Sequence, residues 1–204
     1  MALKKLIVTA LLTLGVAGCS SPGLPSRNAP LDTPELETTL QVAPRDYRVQ
    51  AFVFLTPDDL TVSEGNGYYP FADIVWRGDP IGNRVEQISA IFETAVLGAG
   101  EALDGATPVT VEVTLRRFHS LTERTRYTIG GVHSIKFDLT IRHFETREVL
   151  EGPRAVDASF PGLGGLAAIA AEQRSETQKV RILQQLTAVF TDELSGPPPA
   201  AAGL

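Results

Sequence analysis

Two stretches of alternating apolar and polar residues constrain the fold of this 204-residue chain more than any other feature. In VTVEVTLRRFH, residues 109–119, the apolar side chains as far as Leu115 share one face. In VHSIKFDLTIRHF, residues 132–144, the apolar side chains from Ile135 to Ile141 do the same, and polar residues fill the positions between them. This pattern is typical of an antiparallel sheet with one face on the core and the other in water.

The other periodic segments complete the predicted order of elements. Apolar patterning predicts strands at residues 47–56 and 60–63 and a further strand near 149–160. Helical stripes predict one helix from the region of residue 83 to Gly105 and another over residues 177–194, besides an Ala-rich helical stretch from Leu163. We therefore predict an α+β fold, an antiparallel β-sheet with two α-helices packed on one face.

Two helix starts have the spacing of a capping box, in which a side chain caps the helix and the residue three positions later reaches back. Asn83 with Glu86 fits this pattern for the first helix, and Ser175 with Gln178 fits it for the last. We expect both residue pairs to fix the points at which these helices begin.

The amino-terminal segment has the layout of an export signal. Lys4 and Lys5 precede an apolar run over residues 6–16, which leads into VAGC at residues 16–19. As a helix, about eleven residues would span about 16 Å, too short for a hydrocarbon core of about 30 Å. The run is therefore predicted to be the hydrophobic region of a signal peptide.

The VAGC stretch resembles the lipobox of bacterial lipoproteins, in which the signal is removed before the cysteine and the cysteine is acylated. The resemblance implies removal of residues 1–18 and lipidation of Cys19, the only cysteine of the chain. Because Ser20 is not the aspartate associated with inner-membrane retention, it also implies an anchor in the outer membrane facing the periplasm. The alternative is an ordinary secretory peptide, with Cys19 discarded or left as a free thiol.

Composition divides the rest of the chain. Residues 20–44 are rich in Pro, Ser and Thr, and together with Cys19 they are predicted to form a flexible tether. The sequence GPPPAAAGL at 196–204 is predicted to be a disordered tail. Residues 45–195 remain as a single periplasmic domain.

The net charge of −6 becomes about −8 once the two lysines of residues 1–18 are removed. An acidic chain argues against nucleic acid as a partner and against electrostatic adsorption to anionic lipid. We expect the membrane to be contacted through the N-terminal lipid. With no second cysteine, the domain has neither a disulfide nor a thiolate metal site.

No sequence pattern names a reaction. The nucleophile motifs GxSxG and SxxK are absent, and IGG at 129–131 and GLGG at 162–165 lack the basic residue and spacing of a phosphate loop. His119, His133 and His143 have no metal-ligand spacing, and Trp76 is predicted to lie in the core or at its rim. We therefore expect a non-enzymatic protein with no catalytic residue, no metal and no cofactor.

A basic cluster on this acidic chain is the candidate interaction surface. We predict that the two main strands form an antiparallel hairpin in which the numbers of opposed residues add up to an even sum near 254. His119 then lies within about 8 Å of His133, and residues 121–130 form a mobile, positively charged lip. The alternative is that the histidines bind backbone groups and the arginines are simply solvated. The candidate residues are Arg116, Arg117, His119, Arg124, Arg126, Tyr127 and His133.

Three stretches, ADIVWRGDPIGNR, RRFHSLTERTRYTIGGVHSIKFDLTI and ETQKVRI, resemble an uncharacterised family of small alphaproteobacterial lipoproteins over about residues 70–194. That family has no assigned activity, so the resemblance implies no catalytic residue. The order of elements is also similar, in topology alone, to the auxiliary lipoproteins of envelope ABC transporters. We expect a protein-interaction or accessory domain of a transport or assembly system; the alternative is a lipid or small-ligand binding lipoprotein, with its pocket between sheet and helices.

Overall fold

The computed structural model describes residues 45–197, which form a six-stranded sheet with helices. The strand order is β1-β3-β4-β5, with β2 beside β3 and β6 beside β4. The strands are β1 Tyr47–Leu55, β2 Ile74–Val75, β3 Thr107–His119, β4 Gly131–His143, β5 Val149–Asp157 and β6 Phe160–Gly162. The pairings β3–β4, β4–β5 and β4–β6 are antiparallel, so the predicted α+β class is confirmed. The edge formed by β1 and β2 runs parallel to β3 instead.

A helical crossover explains this parallel edge, because parallel neighbours need a long connection between them. Helix α1, Arg84–Gly100, provides it between β2 and β3. The Asn83 side chain accepts hydrogen bonds from the backbone N–H groups of Val85 and Glu86, which confirms the predicted cap. The helix ends at Gly100 rather than at Gly105, whose N–H donates to the carbonyl of Tyr47 at 3.0 Å and leads the chain into β3.

Three further helices follow: α2 Glu123–Arg126, α3 Gly165–Gln173 and α4 Gln178–Ser195. The cap of α4 is Thr177, whose side chain accepts from the Val180 N–H, so the predicted Ser175 cap is wrong. Ser175 has a φ of 64° and belongs to the turn between α3 and α4. None of the helices in residues 45–197 is long and apolar enough to cross a membrane.

The core lies between the apolar face of the sheet and helices α1 and α4. Phe92 of α1 has its ring centroid 5.2 Å from that of Phe137 in β4 and 6.1 Å from that of Phe190 in α4, so aromatic contacts join the three elements. Trp76 is fully buried and meets Phe118 edge-on at 5.7 Å, as predicted for a core residue. The opposite sheet face carries polar side chains, as the alternation indicated.

Two β-bulges change which residues face that core. In β1 the register shifts between Val49 and Ala51, so Phe52 and Phe54 pack against the core. In β3 it shifts at Arg116: Leu115 lies opposite Phe137, whereas Arg117 lies opposite Lys136. A bulge places two residues opposite one, which exchanges the faces expected from uninterrupted alternation.

The described chain begins and ends at the same end of the sheet, where β3 starts. Arg45 donates to both carboxylate oxygens of Glu151 in β5 at 2.7 and 2.5 Å and to the Gly196 carbonyl at 3.0 Å. Tyr47, at the start of β1, pairs with Thr107, at the start of β3. The chain thus enters the domain where β3 begins, and the far end of β3 is the opposite end of the sheet.

Candidate interaction surface

The far end of β3 and the start of β4 are covered by a loop that precedes β2. We call residues 64–73 and 119–134 together the loop end. The Thr122 hydroxyl donates to the Gly67 carbonyl, and the Thr125 hydroxyl to the Tyr68 carbonyl, each at 2.7 Å. The N–H of Arg124 donates to Asn66 Oδ1 at 3.0 Å. These bonds fasten the 64–73 loop to the segment after β3.

Residues 121–130 are not the continuous loop that the sequence predicted as a mobile lip. They contain helix α2, for which Thr122 is the cap and accepts from the Thr125 N–H. Both threonines are buried. This segment contains a capped helix and buried hydroxyls that form hydrogen bonds across the loop end. It is therefore an ordered part of the domain.

A groove of about 380 Å³ opens at the loop end. Three of its hydroxyls donate to backbone carbonyls of the domain: those of Thr122 and Thr125 as above, and that of Ser120 to the Val75 carbonyl at 2.8 Å. No Asp, Glu, Lys or Arg side chain lines it, and its exposed wall is chiefly apolar. The lining residues are Tyr68, Tyr69, His119, Ser120, Leu121, Thr122, Thr125, Ile129, Gly130, Gly131, Val132 and Ser134.

Large apolar side chains are concentrated around this groove. Of the eight in residues 45–197 that are more than half exposed, five belong to the loop end. They are Tyr68, Tyr69, Phe71, Ile129 and Val132, with exposures from 51% to 100%. Clusters of exposed apolar side chains mark interaction sites on soluble domains.

The structure distributes the candidate arginines differently from the sequence prediction. Three have carboxylate partners: Arg116 lies 2.5 Å from Asp138, Arg117 lies 3.8 Å from Asp73, and Arg126 lies 3.3 Å from Glu172. The Tyr127 hydroxyl also donates to Glu172, at 3.0 Å. The expected positive rim is therefore largely neutralised.

Arg124 is the exception among these arginines. Its side chain is exposed, and no carboxylate within residues 45–197 forms an ion pair with it. The guanidinium carbon lies 5.0 Å from the centre of the Tyr68 ring, a cation–π contact with a wall of the groove.

The two histidines lie on opposite faces of the sheet, so the predicted register is wrong. The numbers of paired residues in β3 and β4 add up to 252 before the bulge at Arg116 and to 253 after it, not to the predicted 254. After the bulge, His119 lies opposite Ser134. His119 stacks on Tyr69 at 4.8 Å, lines the groove, and donates from Nε2 to the Pro70 carbonyl at 3.0 Å. His133 packs against Phe160 at 4.8 Å on the helix side. The alternative interpretation, in which the histidines bind backbone groups, therefore holds for His119.

His133 lines a small cavity of about 10 Å³ together with Gln178 and Arg181. Burial, reinforced by the nearby charges of Arg181 and Arg126, lowers the pKa of His133 to about 4. Its Nδ1 has no hydrogen-bond partner among the described residues. The imidazole is therefore neutral near pH 7, and its position between Phe160 and the helices is that of a packing residue.

Residues 45–197 contain no group of three or more His, Cys, Asp or Glu side chains placed to hold a metal ion. Cys19, the predicted signal segment 1–18, the predicted tether to residue 44 and most of the predicted tail lie outside the described residues.

The model of a family of unknown function, DUF6778, matches residues 47–203. The chain belongs to this family. Among solved structures, a Xanthomonas campestris protein with the family-model description DUF330 shares 15% identity at a TM-score of 0.45, covering 76% of this chain and 83% of its own. A "putative lipoprotein" from Caulobacter crescentus CB15 shares 14% identity at a TM-score of 0.25, covering 53% and 83%. No curated protein matches the DUF6778 chain.

Sequence reasoning missed the apolar part of the loop end in this DUF6778 protein. The stretch EGNGYYPF at 64–71 is typical of a Gly-rich loop. The three aromatic residues near its end were the signal that could have indicated an apolar surface. Aromatic side chains in a loop have no strand or helix face to bury them, so they either fold back on the core or stay exposed. Tyr69 and Phe71 stay exposed.

Proposed function

We propose that this DUF6778 protein is an alphaproteobacterial envelope lipoprotein, without enzymatic activity, whose domain binds another protein through the loop end. The observation that carries the proposal is the groove lined by four exposed apolar side chains, with a fifth, Phe71, in the same loop end. An apolar patch of this kind gains free energy when a partner removes it from water. Its role is that of an accessory to a transport or assembly system of the envelope.

The proposed anchor is lipid on Cys19, with the protein in the outer membrane and its domain in the periplasm. The VAGC motif supports this, and the chain that follows Cys19 enters the domain at Arg45. From there the loop end lies at the other end of β3, about 40 Å away for thirteen residues at about 3.3 Å each. We infer that attachment at Arg45 leaves the loop end accessible to a partner.

The groove itself supports a binding role rather than catalysis. Catalysis by nucleophilic attack needs a hydroxyl or thiol held against a general base. The Thr122, Thr125 and Ser120 hydroxyls donate to backbone carbonyls instead, and His119 donates from Nε2 to the Pro70 carbonyl. These groups organise the wall of the groove.

A second candidate function, binding of a lipid or other small apolar ligand, is favoured by the size of the groove. At about 380 Å³ it falls within the range of about 300–1,000 Å³ that small-molecule sites occupy. Its place differs from the predicted one, because the groove lies on the face away from α1 and α4 rather than between them and the sheet.

Cross-linked pull-downs from envelopes, paired with native mass spectrometry of the detergent-extracted protein, separate the two functions. We expect one protein to be recovered with the parent and lost with Ile129→Asp, whose site is 75% exposed and tolerates the change. Leu97→Asp is the matched control, since Leu97 is an exposed apolar residue of α1 outside the loop end. A retained lipid mass that Ile129→Asp abolishes, with no protein recovered, would favour the second function.

A further inference from the structure

We propose that the groove accepts an apolar side chain from a segment of a protein partner, and that Arg124 binds a carboxylate one or two residues away on the same segment. This inference rests on the proposed function and names the chemistry of the partner. It follows from the placement of one unpaired guanidinium against the wall of an uncharged groove.

The lining of the groove selects an apolar group. The hydroxyls of Ser120, Thr122 and Thr125 donate to carbonyls of the domain, so their donor capacity is spent. A charged side chain that entered would lose water and find only the hydroxyls of Tyr68, Tyr69 and Ser134 as free donors, at a cost in free energy. An aliphatic or aromatic side chain pays no such penalty and buries Ile129 and Val132 in addition.

Arg124 supplies the charge that an acidic partner would meet. Arg117 and Arg126 flank the same surface but are already paired with Asp73 and Glu172. Arg124 has no such partner among the described residues; Asn66 holds its backbone N–H, and its guanidinium lies over the Tyr68 ring. A guanidinium held in advance forms bidentate, charge-assisted bonds with a carboxylate at a small entropic cost.

The distance between the two sites sets the spacing on the partner. The Arg124 guanidinium lies 5.0 Å from the centre of the Tyr68 ring, which forms part of the groove wall. Consecutive Cα atoms are about 3.8 Å apart. A carboxylate within about two residues of the inserted side chain therefore reaches Arg124.

The exposure of the groove walls favours a protein segment over a free lipid. Ile129 is 75% exposed and Tyr69 is 67% exposed, so the groove is shallow. A bound acyl chain would stay partly in water, whereas a protein partner brings surface of its own to cover the rim. Tyrosine and arginine are also the residue types enriched at the centres of protein interfaces.

A photo-cross-linking residue at position 129 of the full-length protein, expressed in its own envelope, tests the inference. We expect an adduct whose cross-linked segment carries an apolar residue with Asp or Glu within two positions. Arg124→Glu should lower the adduct yield about tenfold or more, as expected when an ion pair becomes a like-charge contact. Replacing the partner's acidic residue by Lys in the Arg124→Glu background should restore it.

Arg147→Glu is the matched control and should leave the yield unchanged. Arg147 also lies over an aromatic ring, Phe144 at 5.8 Å, but in the turn between β4 and β5 at the opposite end of the sheet. Thermal unfolding followed by circular dichroism verifies that each variant is folded.

The outcomes separate the inference from the proposed function. A protein adduct that Arg124→Glu leaves unchanged, or whose segment lacks an acidic residue, overturns the inference and keeps the proposed function. A lipid adduct at position 129, or no adduct from a folded variant, overturns both.

Discussion

Arg45 and Glu151, which are 106 residues apart in the sequence, form a bidentate ion pair that joins the start of the described chain to an edge strand. The Arg45 side chain is only 3% exposed and that of Glu151 only 12%. Burial alone would raise the pKa of Glu151, but the hydrogen bonds from Arg45 and Tyr47 outweigh it and lower the pKa. The pair therefore remains charged at neutral pH.

Glu151→Gln should destabilise the domain by about 2–3 kcal/mol, because it leaves the buried Arg45 guanidinium without a counter-charge. Urea denaturation of the purified protein at pH 7 measures the change. Arg174→Ala is the matched control: it breaks the exposed pair with Glu176 and should change the stability far less, because solvent screens that pair. Equal losses from the two substitutions would contradict a special role for the Arg45–Glu151 pair.

His133 should make the stability of the domain depend on pH. Its folded-state pKa of about 4 lies below the ordinary histidine value of about 6.5, so between these values the unfolded chain binds more protons. Its contribution is therefore fully present above about pH 6.5 and is lost as the pH falls towards 4, by about 3 kcal/mol in all. Unfolding free energies measured from pH 4 to 7 should show a steeper fall for the parent than for His133→Gln. Equal losses of stability in the parent and in His133→Gln over this pH range would contradict the prediction.

Gly162 should be required for the contact between β6 and the loop end. A Cβ at this position would lie 2.5 Å from Leu121 Cδ1 and 3.0 Å from His133 Nε2. Gly162→Ala should therefore cost about 1–3 kcal/mol, the usual range for overpacking. Gly67→Ala is the control, because a Cβ there meets nothing within 4 Å. Leu121→Ala should recover part of the loss in a double variant; additive losses would show that the steric contact is not the cause.

Cys19→Ala should yield an exported protein that is uncut or no longer held by the membrane, because the proposed anchor is covalent lipid. Metabolic labelling with a fatty-acid probe and fractionation of the envelope measure the change. The parent should carry the probe and the variant should not. Labelling that persists in the variant would refute acylation at this residue.

The sequence predicted the elements that depend on local periodicity. The shared faces of β3 and β4 and the Asn83 cap follow from patterns within a few residues, and the structure contains them. The parallel pairing of β1 with β3 was not predicted, because the choice of neighbour depends on how α1 packs rather than on the sequence of either strand.

The candidate site was less predictable for two physical reasons. The bulge at Arg116 is a backbone feature, and without it the parity of His119 was assigned to the wrong face. The partners of the arginines are remote in sequence: Arg126 pairs with Glu172 and Arg117 with Asp73, so a run that reads as positively charged is mostly neutral in the folded domain.

The bulge at Arg116 has a consequence for how this chain tolerates changes in length. Deleting one residue within a central strand normally exchanges its buried and exposed faces. A chain that lacked Arg116 would still pair Phe118 with Ile135 and His119 with Ser134, because Arg116 is the extra residue in the register. A single codon can therefore be lost at this position during divergence while the core before it and the groove after it are inherited intact.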